Sequence, residues 1–289
     1  MSDAASRSVA CQSSAPDTGN VTGNVTGNVT GETIADFGEQ WTRFRDNSGY
    51  YASKELLADV IEPLLTPEQL RGTSVCDIGS GSGRIVNMLL DAGAAHVFAV
   101  EPSEAMEVTK ENTAARSAQI TYLQVPGHEL PPVTFDYAVS MGVLHHIPEP
   151  QPVVQAVYRS LEEGGAFLIW LYGRENTGLY LVLLTVLRSI FRRLPDAALV
   201  AVSHALNLPL TAYIAACRVI PLPLRDYMLN VVRKLSWNQR TLVIFDQLNP
   251  AYAKYYTKEE AIQLMKSAPF RRVEAHLRHN YSWTVIGWK

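Results

Sequence analysis

Cysteine is almost missing from this chain: three in 289 residues, at positions 11, 76 and 217. So odd and scattered a set has neither the pairing of a disulfide framework nor the spacing of a zinc site, and no metal is expected. Cys76 stands inside an apolar run and is expected to behave as a small buried hydrophobe. An excess of one charge is missing too, since 25 Lys and Arg against 28 Asp and Glu leave a net charge of −3. Without a basic stripe, nothing recommends nucleic acid as a partner. The pairs Arg192-Arg193 and Arg271-Arg272 are expected at solvated helix and strand ends. The opening "MSDAASRSVACQSS" has no apolar h-region, so no secretory signal is expected and a cytoplasmic location is the default.

Uninterrupted apolar runs are lacking as well. "GLYLVLLTVLRSIF" meets Arg188, and "DAALVAVSHALNLPLTAYIAACRVI" carries His204, Asn207 and Pro209. Neither supplies the roughly 20 apolar residues of a membrane span. Helices packed as a cap are therefore preferred to a membrane-surface role through apolar faces plus Arg188, Arg192 and Arg193.

What is present divides the chain into five stretches. Residues 1–31 are rich in Ser, Thr, Gly and Asn around the repeat "GNVTGNVTGNVTG", with too little apolar surface to pack; a flexible tail is expected. Residues 32–72 are expected to form an N-terminal helical lid, in which Leu56, Leu57, Val60, Ile61, Leu64 and Leu65 recur at helical spacing. "TPEQ" then offers Thr66 as N-cap, Pro67 at the first position and Gln69 to complete a capping box. Residues 73–173 alternate short β-branched runs with helical segments: "SVCDI", "HVFAV", "ITYLQV", "FDYAVSMG" and "AFLIWLY" as strands, with helices between most of them. Little polar alternation within the strands predicts a parallel sheet covered on both faces. Residues 174–255 form the apolar helical insertion. Residues 256–289 close the chain with a helix capped by Thr257 and Glu260 and a hairpin turning at "HNYS".

The stretch "VCDIGSGSGRIV" carries the chemistry. A dinucleotide loop needs a third glycine where Arg84 stands, and a P-loop needs Gly-Lys-Ser/Thr, so both are excluded. The pattern is instead D-x-G-x-G-x-G with Asp77 leading. Glycines let the backbone approach a ligand. A carboxylate ahead of them would repel a pyrophosphate but position a cationic amine. Glu101, at the end of the second strand, stands where an acid accepts hydrogen bonds from ribose. A nucleoside with an amino-acid tail and no phosphate meets all three demands: S-adenosylmethionine (SAM).

"VCDIGSGSG", "VFAVEPS", "LPPVTFDYAVSMGVLHHI" and "LEEGGAFLIW" resemble, in order and spacing, the sequential motifs of class I SAM-dependent methyltransferases. The resemblance covers roughly Ser74 to Gly173. It implies a Rossmann-like doubly wound sheet, mostly parallel with an antiparallel last strand, carrying a helical cap insertion. It places Gly79, Ser80 and Gly81 along the methionine moiety, Glu101 on the ribose, Pro102 and Met106 beside the adenine, and Gly127 and His128 on its other face; Met141 joins this set. Where many relatives have Gly-Asp after the third strand, this chain has Val125-Pro126, which leaves the adenine to backbone groups or His128. Other segments, "NSGYYASKELL", "FDQLNPAYAKYYT" and "YSWTVIG", resemble a bacterial natural-product branch that includes azetidine-2-carboxylate synthases.

Sulfonium chemistry needs mainly alignment and exclusion of water. His145 and His146 are candidate proton acceptors, of which adjacency allows one to face a pocket. Tyr50 and Tyr172 are further catalytic candidates, and Tyr51, Asn176, Tyr180 and Tyr255 are candidates for the substrate pocket. Arg45 is weighed equally as a clamp for the SAM carboxylate and as a surface ion pair. Three readings follow: transfer of a methyl group to a small molecule, cyclisation of SAM to azetidine-2-carboxylate and methylthioadenosine, and non-catalytic binding, against which the intact loop and Glu101 argue.

Overall fold

The computed structural model describes residues 21–191, 194–250 and 252–289. Cys11, most of the expected tail and the Arg192-Arg193 pair lie outside them. Its centre is one seven-stranded sheet, with β1 at Ser74–Ile78, β2 at His96–Val100, β3 at Ile120–Leu123, β4 at Phe135–Met141, β5 at Leu161–Tyr172, β6 at Arg272–Arg278 and β7 at Ser282–Trp288. The order is β3-β2-β1-β4-β5-β7-β6. The first five strands pair in parallel, and β7 runs antiparallel to both β5 and β6. The expected doubly wound sheet with an antiparallel last strand is the one observed.

Ten helices flank it among the described residues: α1 Val21–Arg43, α2 Lys54–Ile61, α3 Arg84–Ala92, α4 Ala105–Thr113, α5 Gln151–Ser160, α6 Gly178–Phe191, α7 Asp196–Ala216, α8 Arg225–Asn230, α9 Trp237–Leu248 and α10 Lys258–Met265. Strand residues alternate between two apolar layers because successive side chains point to opposite faces. Val75, Val97, Val139 and Leu168 pack with Leu57, Val86 and Leu89 of α2 and α3. Cys76, Ala138, Phe167 and Ile169 pack with Val153 and Val157 of α5 and Leu264 of α10. Full burial of each Val, Leu, Ile or Phe stabilises by roughly 1.5–3 kcal/mol, so both faces of the sheet contribute to holding it against its helices. Both expected capping boxes form, at Thr66–Gln69 and Thr257–Glu260. Arg271 pairs with Glu163 and Arg272 with Glu274 on exposed surface, as expected of a strand end.

Two expectations need correction. Helix begins at Val21, inside the repeat, rather than after residue 31. Val, Thr, Asn and Gly are poor helix formers, so propensity does not explain it. The helix extends backwards from its docked end, where Gly38 lies against Ser103 and Gln40 is buried. The second correction concerns the run expected to be too interrupted to supply a membrane span: it forms the single helix α7, which continues through Pro209. The missing N–H falls on the turn of Ala205, which is exposed, so solvent can take the freed carbonyl. At 21 residues α7 is long and apolar enough to cross a membrane by length and composition alone. It nonetheless packs on α9: Asn207 Nδ2 donates to the Trp237 carbonyl at 2.9 Å and to Thr241 Oγ1 at 3.1 Å. Helices α6, α7 and α9 build a separate core from Leu184, Leu199, Phe245 and Leu248.

Candidate active site

Parallel strands that diverge in order leave a crevice at their carboxyl ends, here between β1 and β4. The glycine loop fills the start of it. The Gly79 and Ser80 amides both donate to the Val100 carbonyl, at 2.8 and 2.9 Å, and fasten the loop to the end of β2. Gly79 and Gly81 take φ of +81° and +53°, conformations that side chains resist. Each is also crowded. A Cβ on Gly79 would stand 2.4 Å from Val143 Cγ2, and one on Gly81 would stand 2.9 Å from Trp41 Nε1. Helix α1 therefore lies directly over the loop. Asn47 Nδ2 donates to the Ser82 carbonyl at 2.7 Å, and the Arg84 guanidinium sits 4.2 Å from the centre of the Tyr51 ring, so the segment after α1 is tied down as well.

Two carboxylates flank the loop. Glu101 Oε2 accepts from the Gly81 amide at 3.0 Å, while Oε1 accepts from the Ser103 amide and hydroxyl at 3.1 and 2.6 Å. Asp77 is completely buried and neither of its oxygens has a hydrogen-bond partner. Burial raises its pKa from 3.8 to about 7; nearby Arg84 opposes the shift and Glu101 adds to it. An orphaned carboxyl of this kind beneath a glycine loop is what a cationic amine would complete.

The cavity over this crevice measures about 390 Å³. Of the residues the sequence singled out, Gly79, Glu101, Pro102, Gly127, His128, Met141, His146, Tyr172 and Tyr51 line it. Ten expected residues do not. Met106 and Ser80 are buried beside the loop, with Ser80 Oγ 3.4 Å from Thr109 Oγ1. Gly81 is covered by Trp41 and Asp77 lies beneath the loop. The Tyr50 hydroxyl points to the Asn230 carbonyl at 3.3 Å. Asn176 is exposed in a turn with φ of +60°. Arg45 pairs with Glu111 at 2.7 Å on the surface, which decides between its two readings in favour of the ion pair. Tyr180 and Tyr255 stand behind the wall, both donating to Gln247 Oε1, at 2.7 and 3.0 Å.

The two histidines separate as adjacency requires. His146 faces the cavity; His145 is enclosed, its ring 3.9 Å from that of Tyr172 and without a well-formed hydrogen bond to either nitrogen. Burial lowers both pKa values from 6.5, for His145 well below it. His146 Nδ1 lies 2.8 Å from the Tyr252 carbonyl. A carbonyl only accepts, so Nδ1 carries the proton and Nε2 of the neutral ring carries the lone pair.

Sequence reasoning missed the polar end of this cavity. Tyr172 Oη donates to Asp246 Oδ2 at 2.8 Å and accepts from Gln247 Nε2 at 2.6 Å. Gln40 Nε2 of α1 donates to Asp246 Oδ1 at 3.0 Å. Lid, sheet and cap thus meet at one carboxylate. The signal available was an acid and an amide, Asp246 and Gln247, set within the apolar run "LVIFDQL".

Residues 76–169 match the methyltransferase domain family. Over 124 residues the chain is 33% identical to the tRNA U34 carboxymethyltransferase of Hahella chejuensis, covering 40% of this chain and 38% of that one. Over 130 residues it is 28% identical to the ubiquinone biosynthesis O-methyltransferase of Pseudomonas putida, covering 44% and 55%. The chain thus spans about half or less of the length of these curated relatives. Among solved structures, the 1,6-didemethyltoxoflavin-N1-methyltransferase of Burkholderia thailandensis, bound to 1,6-didemethyltoxoflavin and S-adenosylhomocysteine, shares the fold at a TM-score of 0.54 and 16% identity, over 96% of this chain and 93% of that one. Residues 76–169 are thus a methyltransferase domain, and the sheet that contains them has the fold of the class I SAM-dependent methyltransferases.

Proposed function

We propose that this chain transfers the methyl group of SAM to an O, N or C nucleophile of a small molecule held between His146, Tyr172 and Asp246. The observation that carries the reading is the joining of two ends in one cavity: Glu101 and the glycine loop, and the His146–Tyr172–Asp246 group. When bound, SAM supplies an electrophilic methyl. The remaining lone pairs of Glu101 are suited to ribose hydroxyls, Asp77 to the amine of the methionine tail, and Pro102, Gly127 and His128 to the adenine. His146 Nε2 is a neutral base that can take the acceptor's proton, with its tautomer held by Tyr252. Tyr172, polarised by Asp246, orients the acceptor. Lid contacts from Trp41 and Tyr51 keep water from the reacting centre.

The acid–base end suits an acceptor that must lose a proton, whereas cyclisation of SAM needs no acceptor, only loss of a proton from its own amine. Incubation with SAM alone, and with panels of small phenolic, heterocyclic and lipid-like acceptors or with tRNA, tests it. S-adenosylhomocysteine formed only with a small acceptor supports transfer. Methylthioadenosine formed from SAM alone establishes cyclisation instead, and methylation of tRNA alone overturns the small-molecule acceptor.

A further inference from the structure

Among the described residues, every large apolar side chain left exposed lies between Leu179 and Trp237, in the cap. They are not scattered. On α6, Leu179, Val182, Leu183, Val186 and Ile190 stand 51–72% exposed at spacings of three, four, seven and eleven, which is one continuous stripe along the helix. The opposite face of α6 is fully employed: Leu184 is buried, Tyr180 bonds Gln247, and Arg188 Nε donates to the Gln247 carbonyl at 2.6 Å. On α7 the exposed face is again apolar, running through Ala201, Ala205, Leu208 and Ala212. Only 22% of the most apolar stretch of α7 is buried, whereas a helix from a soluble core would be mostly covered.

Charge indicates what covers this face. Residues 178–224 hold four arginines, at 188, 192, 193 and 218, and one acid, Asp196, in a chain whose net charge is −3. Asp196 is itself paired with Arg43 at 3.3 Å, and Arg218 is exposed beside Val219 and Ile220. A second copy of the chain would set this positive segment against itself. An anionic lipid surface would receive the apolar stripe and attract this positive segment, in which Arg218 is exposed while Arg188 turns to Gln247.

We infer that the cap docks on the surface of an anionic bilayer, with α6 and α7 lying in the headgroup region rather than crossing it. With 14 residues α6 spans about 21 Å, short of the ~30 Å hydrocarbon core. Crossing by α7 would break the two Asn207 hydrogen bonds to α9. The back of the docked face bonds Gln247, which bonds Tyr172, so the acceptor end of the cavity lies directly behind the contact. The inference does not depend on which reaction the site performs.

Flotation of the full chain with vesicles tests it. Vesicles of phosphatidylglycerol and phosphatidylcholine should carry the protein, and pure phosphatidylcholine or high salt should reduce binding about tenfold. The double variant Val182→Glu, Val186→Glu should lose binding to a similar extent, about tenfold, while its melting temperature and SAM affinity stay unchanged because both side chains are exposed. Leu208→Glu on α7 provides an independent second variant. Failure of the wild type to float, flotation undiminished in all these variants, or a dimer in sedimentation that the double variant disperses would each overturn the inference.

Discussion

The hydroxyl of Tyr172, the last residue of β5, donates to Oδ2 of Asp246 on α9 at 2.8 Å, joining the sheet to the cap at the wall of the cavity. Asp246 also receives Gln40 from the lid helix. Removing the carboxylate in two ways separates its chemistry from its structural part. Asp246→Asn can still accept from Gln40 and remains within hydrogen-bond reach of Tyr172, so unfolding in urea should shift by less than about 1 kcal/mol. Its turnover should nonetheless fall about tenfold or more, because a charge that orients the acceptor is lost. Asp246→Ala leaves both donors unpaired and should cost roughly 1–3 kcal/mol of stability as well.

Glu101 permits a sharper substitution. Both of its oxygens accept from backbone amides, Gly81 on one side and Ser103 on the other. An amide in its place must turn an NH₂ group towards one of those N–H donors. Glu101→Gln should therefore distort the loop and lower SAM affinity by about tenfold to a hundredfold, roughly 1.4–2.8 kcal/mol, in a calorimetric titration. Unchanged affinity would remove Glu101 from the site.

The sheet was legible in the sequence because each strand carries its own local signal. β-Branched runs, the glycine loop and two capping boxes each lie within a few residues of chain, and the strands, the sheet class and the loop were found where expected. Asp246 and Gln247 were not legible as site residues, since only the pairing of α9 with the end of β5 brings them to Tyr172, 74 and 75 positions away. Tyr50 was misplaced for a different reason, although its neighbour Tyr51 does line the cavity. The two sit side by side in a single 3₁₀ turn, where no periodicity tells which one faces inward. Arg45 was weighed as a ligand or a surface pair, and only the position of Glu111 on α4 decides the matter.

The adjacent histidines should behave oppositely. His146→Gln removes the ring nitrogen that carries the lone pair and should reduce kcat by about tenfold to a thousandfold, with the KM for SAM little changed. His145→Leu replaces a buried ring that has no well-formed hydrogen bond. It should leave kcat within about threefold, since no proton is handled there, and stability within about 1.5 kcal/mol. In the wild type the His146 pKa lies below 6.5, so activity governed by it should hold through neutral pH and decline only on the acid side.

Gly79→Ala meets two obstacles at once: φ of +81° and Val143 Cγ2 at 2.4 Å from the new Cβ. Left-handed backbone at an alanine costs about 1–2 kcal/mol before the collision is counted. Thermal unfolding should therefore show a marked loss of stability. Adding Val143→Ala should recover the collision part but not the backbone part, and the difference between single and double variants measures each.

Asp77 sets the pH dependence. Its folded pKa of about 7 stands above its unfolded value of 3.8, so between those values the folded chain holds a proton that the unfolded chain has released. Its contribution to stability is full below 3.8 and is lost as pH rises through about 7. The lowered histidines slope the other way, losing stability as pH falls, so the Asp77 share is read from the difference between wild type and Asp77→Asn. That variant should gain relative stability as pH rises from 3.8 to about 7 and keep it above, because it has no carboxyl that must stay protonated on burial. A cationic amine held at Asp77 favours the ionised carboxyl and expels its proton. SAM affinity should therefore climb as pH approaches about 7 and then level, with proton release visible as a dependence of binding enthalpy on the buffer. S-adenosylhomocysteine carries the same amine and should follow the same curve. Methylthioadenosine, which lacks the amino-acid tail, should bind with no such dependence. If methylthioadenosine instead tracks SAM across this range, Asp77 does not face the amine, and the orphaned carboxyl has another purpose.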